Sequence, residues 1–146
     1  MFRGNCPTRL DDKGRLKIPA DFKHEIDRNY DGRFYLTSLN GEVIKLYPLS
    51  AWEQFEATVK NGAGSYQQKE KFQEVTGYYG QNVEMDNQGR VTIAEWLRNK
   101  FGLKGEVAVL GKLDHIEIRV MEEFGKAVEA NPLTPDELND LLGPRN

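Results

Sequence analysis

Two five-residue stretches hold the side chains best suited to chemistry. "DDKGR" spans 11–15 and "DNQGR" spans 86–90; in each, an aspartate precedes an arginine by four residues and a glycine stands just before the arginine. Arginine offers a planar fork of N–H donors that matches a phosphate or a guanine edge, whereas lysine is a point charge. Asp11 and Asp86 can hold the forks of Arg15 and Arg90 by charge-assisted hydrogen bonds. Such a pair also serves a purely structural end, fixing a tight turn. The two uses agree if the aspartate positions the arginine that binds.

Charge around the two stretches is uneven. The whole chain carries a net charge of -3. Residues 1–23 nevertheless hold Arg3, Arg9, Lys13, Arg15, Lys17 and Lys23 against only Asp11, Asp12 and Asp21. Residues 122–146 hold six acidic side chains against Lys126 and Arg145. A local basic patch governs the binding of a polyanion more than the total charge does. Around the first stretch, Arg9, Lys13, Arg15 and Lys17 outnumber Asp11 and Asp12, whereas Arg90 is outnumbered by Glu84 and Asp86 around the second. The first is therefore expected to dominate anion affinity.

Other reactive side chains are sparse. His24 and His115 have no partner close in sequence and are expected to be surface or capping residues. A metal site usually takes three or four His, Cys or carboxylate ligands, so no metal and no cofactor are expected. No P-loop, G-x-S-x-G or H-E-x-x-H occurs, and no enzyme activity is expected. Cys6 is the one cysteine; it excludes an internal disulfide, fits a reducing cytoplasm and is expected to be part-buried. "MFRGNCPTRL" has no apolar stretch behind its arginine, so no secretory signal is expected. Apolar runs fall well short of the roughly 18 residues of a membrane helix. Phe34, Tyr35, Tyr47, Trp52 and Phe55 could stack bases, but their spacing fits core and subunit contacts better.

The elements around these stretches can be read from periodicity. Gly14 suits the left-handed position after a type I turn. Leu16 and Ile18 alternate with Arg15 and Lys17, the pattern of a half-buried strand, and Leu10 leads into the same hairpin. The strand thus turns its cations outward and its apolar residues inward. Pro19 ends it, and "ADFKHEIDR" follows as a short helix with Phe22 and Ile26 on one face. "RFYLTSL" and "VIKLYPL" are strands around Asn40–Gly41. Ser50 and Glu53 form a capping box for a helix that "NGAGS", 61–65, breaks. "YQQKEKFQEVTG" is a polar connecting helix. The series then restarts with "VEMDNQGRVTI", the helix "AEWLRNKFG", the strands "EVAVLGKL" and "HIEIRV", and the helix "MEEFGKAVEA". The tail helix has Thr134 as cap, Pro135 first, Glu137 completing the box and Gly143 ending it.

Laying residue 10 on residue 85 matches apolar positions, with Leu16 on Val91 and Phe34 on Val107. Two units that cannot each bury their apolar face are expected to dock on one another. The expected fold is β-rich α+β, a pseudo-twofold barrel with short peripheral helices and a C-terminal helix. Its parts are a first repeat, 1–62, a connecting helix, 63–80, a second repeat, 81–130, and a helical tail, 131–146.

"MFRG" at the start, "LDDKGRLKIP" at 10–19, "YPLSAWEQFE" at 47–56 and "EMDNQGRVTIAEWLR" at 84–98 together resemble the MraZ family. This is a group of bacterial transcription regulators of the AbrB-like, swapped-hairpin (double-psi-like) class. The resemblance implies a cytoplasmic, nucleoid-associated protein that binds repeats upstream of its own cell-division and cell-wall operon. It also implies a ring of identical subunits, and it places the D-x-x-x-R arginines on DNA. Carried onto this chain, the motif falls on Asp11 and Arg15 and on Asp86 and Arg90; the basic patch adds Lys13, Lys17, Arg9 and Arg3 to the expected DNA-binding set, and Asp11, Asp86, Gly14 and Gly89 are expected to shape the turns. The chain departs from the family near the end of the second repeat, where "EIR", 117–119, replaces the E-L-W of many members. Two other readings stay open. One is an antitoxin-like protein-interaction module of the same fold, which would co-purify with a small partner. The other is an enzyme on this fold, which would need a deep polar pocket.

Overall fold

A computed structural model describes residues 1–143; residues 144–146 of the expected tail lie outside the described residues. The fold is α+β. The first half runs β1 (Asn5–Arg9), β2 (Arg15–Lys17), α1 (Ala20–Asn29), β3 (Arg33–Thr37), β4 (Ile44–Pro48) and α2 (Leu49–Asn61). Helix α3 (Tyr66–Tyr78) leads to the second half: β5 (Gln81–Glu84), β6 (Arg90–Thr92), α4 (Glu95–Lys100), β7 (Glu106–Gly111), β8 (Ile116–Val120) and α5 (Met121–Ala130). Helix α6 (Pro135–Leu142) follows.

Six strands form one sheet in the order β1-β7-β8-β4-β3-β5, and β2 pairs with β6 in a separate ribbon. All these ladders are antiparallel. Exchanging each strand for its counterpart in the other half maps this order onto its own reverse. The outer strands of the sheet are β1 and β5, so its hydrogen bonds do not close into a ring. The simple hairpin expected at the first turn is corrected: β1 and β2 meet only at a bridge between Leu10 and Leu16. Beyond it they part, β1 to β7 and β2 to β6. β1 and β2 thus find their ladder partners only in the other half, while β3 with β4 and β7 with β8 pair within one half.

The main core draws on both halves. Leu16, Ile18, Phe22, Ile26, Phe34 and Leu36 pack with Val83, Val91, Ile93, Leu97, Val107 and Val109. Leu16 and Val91 face each other across the ribbon, both fully buried. A second cluster joins Tyr47, Ala51 and Trp52 to Tyr35, Phe55 and Phe72. The connecting helix is thus more than a polar spacer. Besides Phe72, it supplies the Thr76 carbonyl, which accepts from Tyr35 Oη and Thr37 Oγ1, each at 2.8 Å.

Four helices start directly from a strand or its immediate end, with Pro19, Pro48, Ala94 and Val120 as N-caps and no side-chain cap bond. The capping box expected at Ser50 is therefore absent: Pro48 (φ -51°, ψ 139°) turns β4 straight into α2 and leaves Ser50 inside the first turn. The box at Thr134 and Glu137 forms as read. No described helix is long and apolar enough to cross a membrane.

Candidate nucleic-acid interface

Both charged turns fold in the same way. Asp11 Oδ1 accepts from the backbone N–H of Lys13 at 3.0 Å and of Arg15 at 2.8 Å, while its Oδ2 accepts from Arg15 Nε at 2.6 Å. Asp86 repeats the set with Gln88 N, Arg90 N and Arg90 Nε at 2.9, 2.9 and 3.0 Å. One carboxylate thus shapes the turn and holds the arginine. The Arg15 and Arg90 backbone N–H groups are the first cause holding the Asp11 and Asp86 carboxyls below the usual aspartate value. Among the described residues each arginine is held through Nε alone, which leaves its Nη groups for a ligand. Both pairs remain solvent-facing, so they add little to stability and act chiefly by position.

Glycine is required at both turns. Gly14 and Gly89 sit at φ +81° and +74°, where a side chain is strained. The turns are also locked to each other's half of the chain. Ile93 N donates to the Gly14 carbonyl at 2.8 Å, and Ile18 N donates to the Gly89 carbonyl at 2.9 Å.

The ribbon between the turns brings the cations together. Arg15 stands opposite Thr92, Leu16 opposite Val91, and Lys17 opposite Arg90. Leu16 and Val91 fill the core, so Arg15, Lys17, Arg90 and Thr92 form the outer row. Lys13 is exposed on the first turn, and Arg9 is exposed at the end of β1 that leads into it. Arg3 lies elsewhere. It precedes β1, between Phe2, which bridges to Leu113, and Gly4, whose carbonyl accepts from Gly111. The length of β1, roughly 17 Å at about 3.4 Å per residue, separates it from the turn.

Two further cations approach the turns from the helices: Lys23, counted above only in the basic patch, and Arg98, which turn-centred reading of the sequence passed over. Arg98 on α4 lies against Gly14, and Lys23 on α1 lies against Gly89. Their signal was the spacing, since they are 75 positions apart, as Asp11 and Asp86 are.

His115 corrects another expectation. It is not a surface residue but is buried on the sheet face opposite the core, stacked on Tyr47 with ring centroids 4.3 Å apart. Lys45 Nζ approaches His115 Nε2 at 3.1 Å and donates to Glu117 Oε2 at 2.8 Å. Since the ammonium has no lone pair, Nε2 must accept, and Nδ1 donates to Asp114 Oδ1 at 2.7 Å. The ring is thereby held neutral; burial first, with the Lys45 charge, depresses its pKa. Burial pushes the Tyr47 hydroxyl up to about 12. For Glu117, burial alone would raise the pKa, but the hydrogen bond and charge of Lys45 bring it below the usual value. Among the described residues, no group of three or more His, Cys, Asp or Glu side chains converges as a metal site.

Comparison with known proteins gives a consistent result. Residues 1–74 and 80–137 match the family model described as "MraZ protein, putative antitoxin-like". A protein of Koribacter versatilis named "Transcriptional regulator MraZ" is 48% identical over 145 residues, covering 97% of this chain and 99% of its own. A protein of the same name from Acidobacterium capsulatum is 44% identical over 137 residues, 94% of each chain. Another, from Methylobacillus flagellatus, is 30% identical over 124 residues, 85% of this chain and 84% of its own.

Proposed function

Because the chain belongs to the MraZ family, we propose that it is a transcriptional regulator binding double-stranded DNA repeats upstream of its own cell-division and cell-wall operon. It works in the cytoplasm, on the nucleoid, without catalytic activity or cofactor. The observation that carries this reading is the β2·β6 ribbon, where Lys17 stands directly opposite Arg90 with Arg15 beside them. Like charges in such cross-strand positions repel, and the part-exposed Asp86 beside Arg90 offsets only some of that repulsion. A polyanion relieves that repulsion, and the major groove admits a two-stranded ribbon. Arg15 and Arg90 present their Nη groups to base edges or phosphate, and Lys13, Lys17 and Arg9 supply phosphate contacts that set register. Arg3, at the far end of β1, is a peripheral contact.

We read residues 1–62 and 81–130 as two AbrB-like repeats, residues 63–80 as the connecting helix and residues 131–146 as the tail. The two repeats form a swapped-hairpin barrel. The reversible strand order and the parting of β1 from β2 support this. One ribbon offers few contacts, so a cyclic, head-to-tail homo-oligomer repeats it along successive DNA sites and multiplies affinity through effective concentration. The test is retardation of the promoter fragment with scrambled DNA as competitor, for wild type, Arg15→Ala and Arg90→Ala. Promoter preference is expected, with Arg15→Ala the more damaging. Absence of preference in the folded protein would remove the DNA reading; a larger loss in Arg90→Ala would reverse the ranking of the turns.

A protein-interaction module is favoured by one observation: Leu138, Leu141 and Leu142 on α6 are exposed. It would co-purify with a small partner that is lost when α6 is deleted.

A further inference from the structure

Each turn is backed by a cation from the other repeat. Arg98 Nε donates to the Ile93 carbonyl at 3.0 Å, while Ile93 N donates to the Gly14 carbonyl. A methyl group built on Gly14 would lie 2.5 Å from Arg98 Nε and 2.8 Å from its Cζ. The guanidinium therefore packs directly on the backbone next to Arg15. Lys23 holds the matching place at Gly89, its Cδ and Cε each 3.3 Å from a methyl group built there.

The two cations differ in what remains available. Lys23 Nζ donates to Asp27 at 2.8 Å, and Asp27 offsets its charge. Arg98 uses Nε on a neutral carbonyl and forms no salt bridge among the described residues, so its full charge and its Nη groups remain. Within the first turn, by contrast, Asp11 offsets Arg15. Lys17 lies at the other end, opposite Arg90, and Asp12 offsets Lys13 within the first turn, so the net positive charge at this end of the ribbon rests largely on Arg98.

We propose that Arg98 is a phosphate-contacting residue of the DNA interface. The site is then composite, with Arg15 from the first repeat and Arg98 from the second, and it exists only when the repeats are docked. Lys23 is its weaker counterpart at the second turn. This rests on the regulator reading and extends it to a residue outside the D-x-x-x-R turns.

The test titrates the full-length protein with its promoter fragment at several salt concentrations, for wild type, Arg98→Gln, Arg98→Lys and Lys23→Gln. Thermal unfolding checks each fold. Each phosphate contact adds about 0.9 to the slope of log affinity against log salt. Arg98→Gln is expected to weaken binding and flatten the slope by about 0.9 per engaged protomer. Arg98→Lys should restore the slope, and Lys23→Gln should change it less than Arg98→Gln. An unchanged affinity in Arg98→Gln, or a loss at unchanged slope, would overturn the proposal; the latter would leave Arg98 as a brace for Gly14. Should Arg98→Gln not fold, phenylglyoxal modification of wild type read by mass spectrometry decides the matter. DNA is expected to protect Arg98, and equal modification with and without DNA would overturn the contact. A wild-type protein that shows no promoter preference would instead remove the regulator reading itself.

Discussion

Lys45→Met is expected to destabilise the fold strongly, although it touches neither the main core nor the charged turns. Lys45 and Glu117 stand directly opposite each other where β4 pairs with β8, at the centre of the seam between the two halves. Their side chains are 17% and 7% exposed, with Nζ and Oε2 2.8 Å apart. Methionine would fill the space of the lysine stem but leave the carboxylate without its main partner. It would also leave His115 Nε2 without its donor. Removing one member of a buried pair costs about 3–5 kcal/mol. Lys112, half-exposed and 3.7 Å from the same oxygen, remains and offsets part of that. A loss of about 2–4 kcal/mol is expected, a large share of the roughly 5–15 kcal/mol that holds a domain folded. The double variant Lys45→Met/Glu117→Leu removes both charges and should recover most of the loss. Urea denaturation near neutral pH reads all three differences in one cycle. A cost below about 1 kcal/mol for Lys45→Met, the range of exposed pairs, would show that water screens the pair. A double variant no more stable than the single would also refute the reasoning.

Gly14→Ala should impair both folding and DNA binding more than Gly89→Ala. At Gly14 the new methyl would meet the Ile93 carbonyl at 2.7 Å, which is backbone and cannot swing away, whereas at Gly89 it meets only the lysine stem; thermal unfolding and retardation of the two variants check this. Leu16→Ala should cost about 2–5 kcal/mol in urea denaturation, since the side chain is fully buried against Val91 from the other half. Stability should also fall in two stages on acidification. His115 has a depressed pKa in the fold, so its contribution is complete above the ordinary histidine value and is lost as pH falls from there through the folded value. Glu117 is likewise depressed, and its contribution is lost at lower pH, as pH falls from the ordinary carboxylate value through the folded one, with only a small addition from the solvent-facing Asp11 and Asp86. Tm measured against pH should show the first stage in wild type and not in His115→Gln.

Much of this arrangement was legible because it is local. The Asp–Gly–Arg turn, the inward Leu16 and Ile18 and the tail's capping box each depend on a few neighbouring residues. The likeness of the two turns was legible because each spells the same Asp–Gly–Arg spacing, and both make the same set of hydrogen bonds. The partners of β1 and β2 were not, since a short strand after a tight turn reads as a hairpin until the distant β7 and β6 compete for its edge. His115 was misplaced for a related reason: although Asp114 beside it in sequence binds Nδ1, the Tyr47 ring and Lys45 that bury it lie about 70 residues away and meet it only across the β4·β8 seam. Arg98 and Lys23 sit on helices whose charged residues look like an ordinary solvated face. Only the docking of each helix on the opposite turn gives them a place at the ribbon.

The most direct measurement is the salt dependence of binding to the protein's own promoter fragment, for wild type beside Arg15→Ala. A steep slope with promoter preference is expected, with weaker binding and a shallower slope in the variant. Equal affinity and equal slope for the two proteins, both folded, would contradict the assignment of the β2·β6 ribbon as the DNA-binding surface.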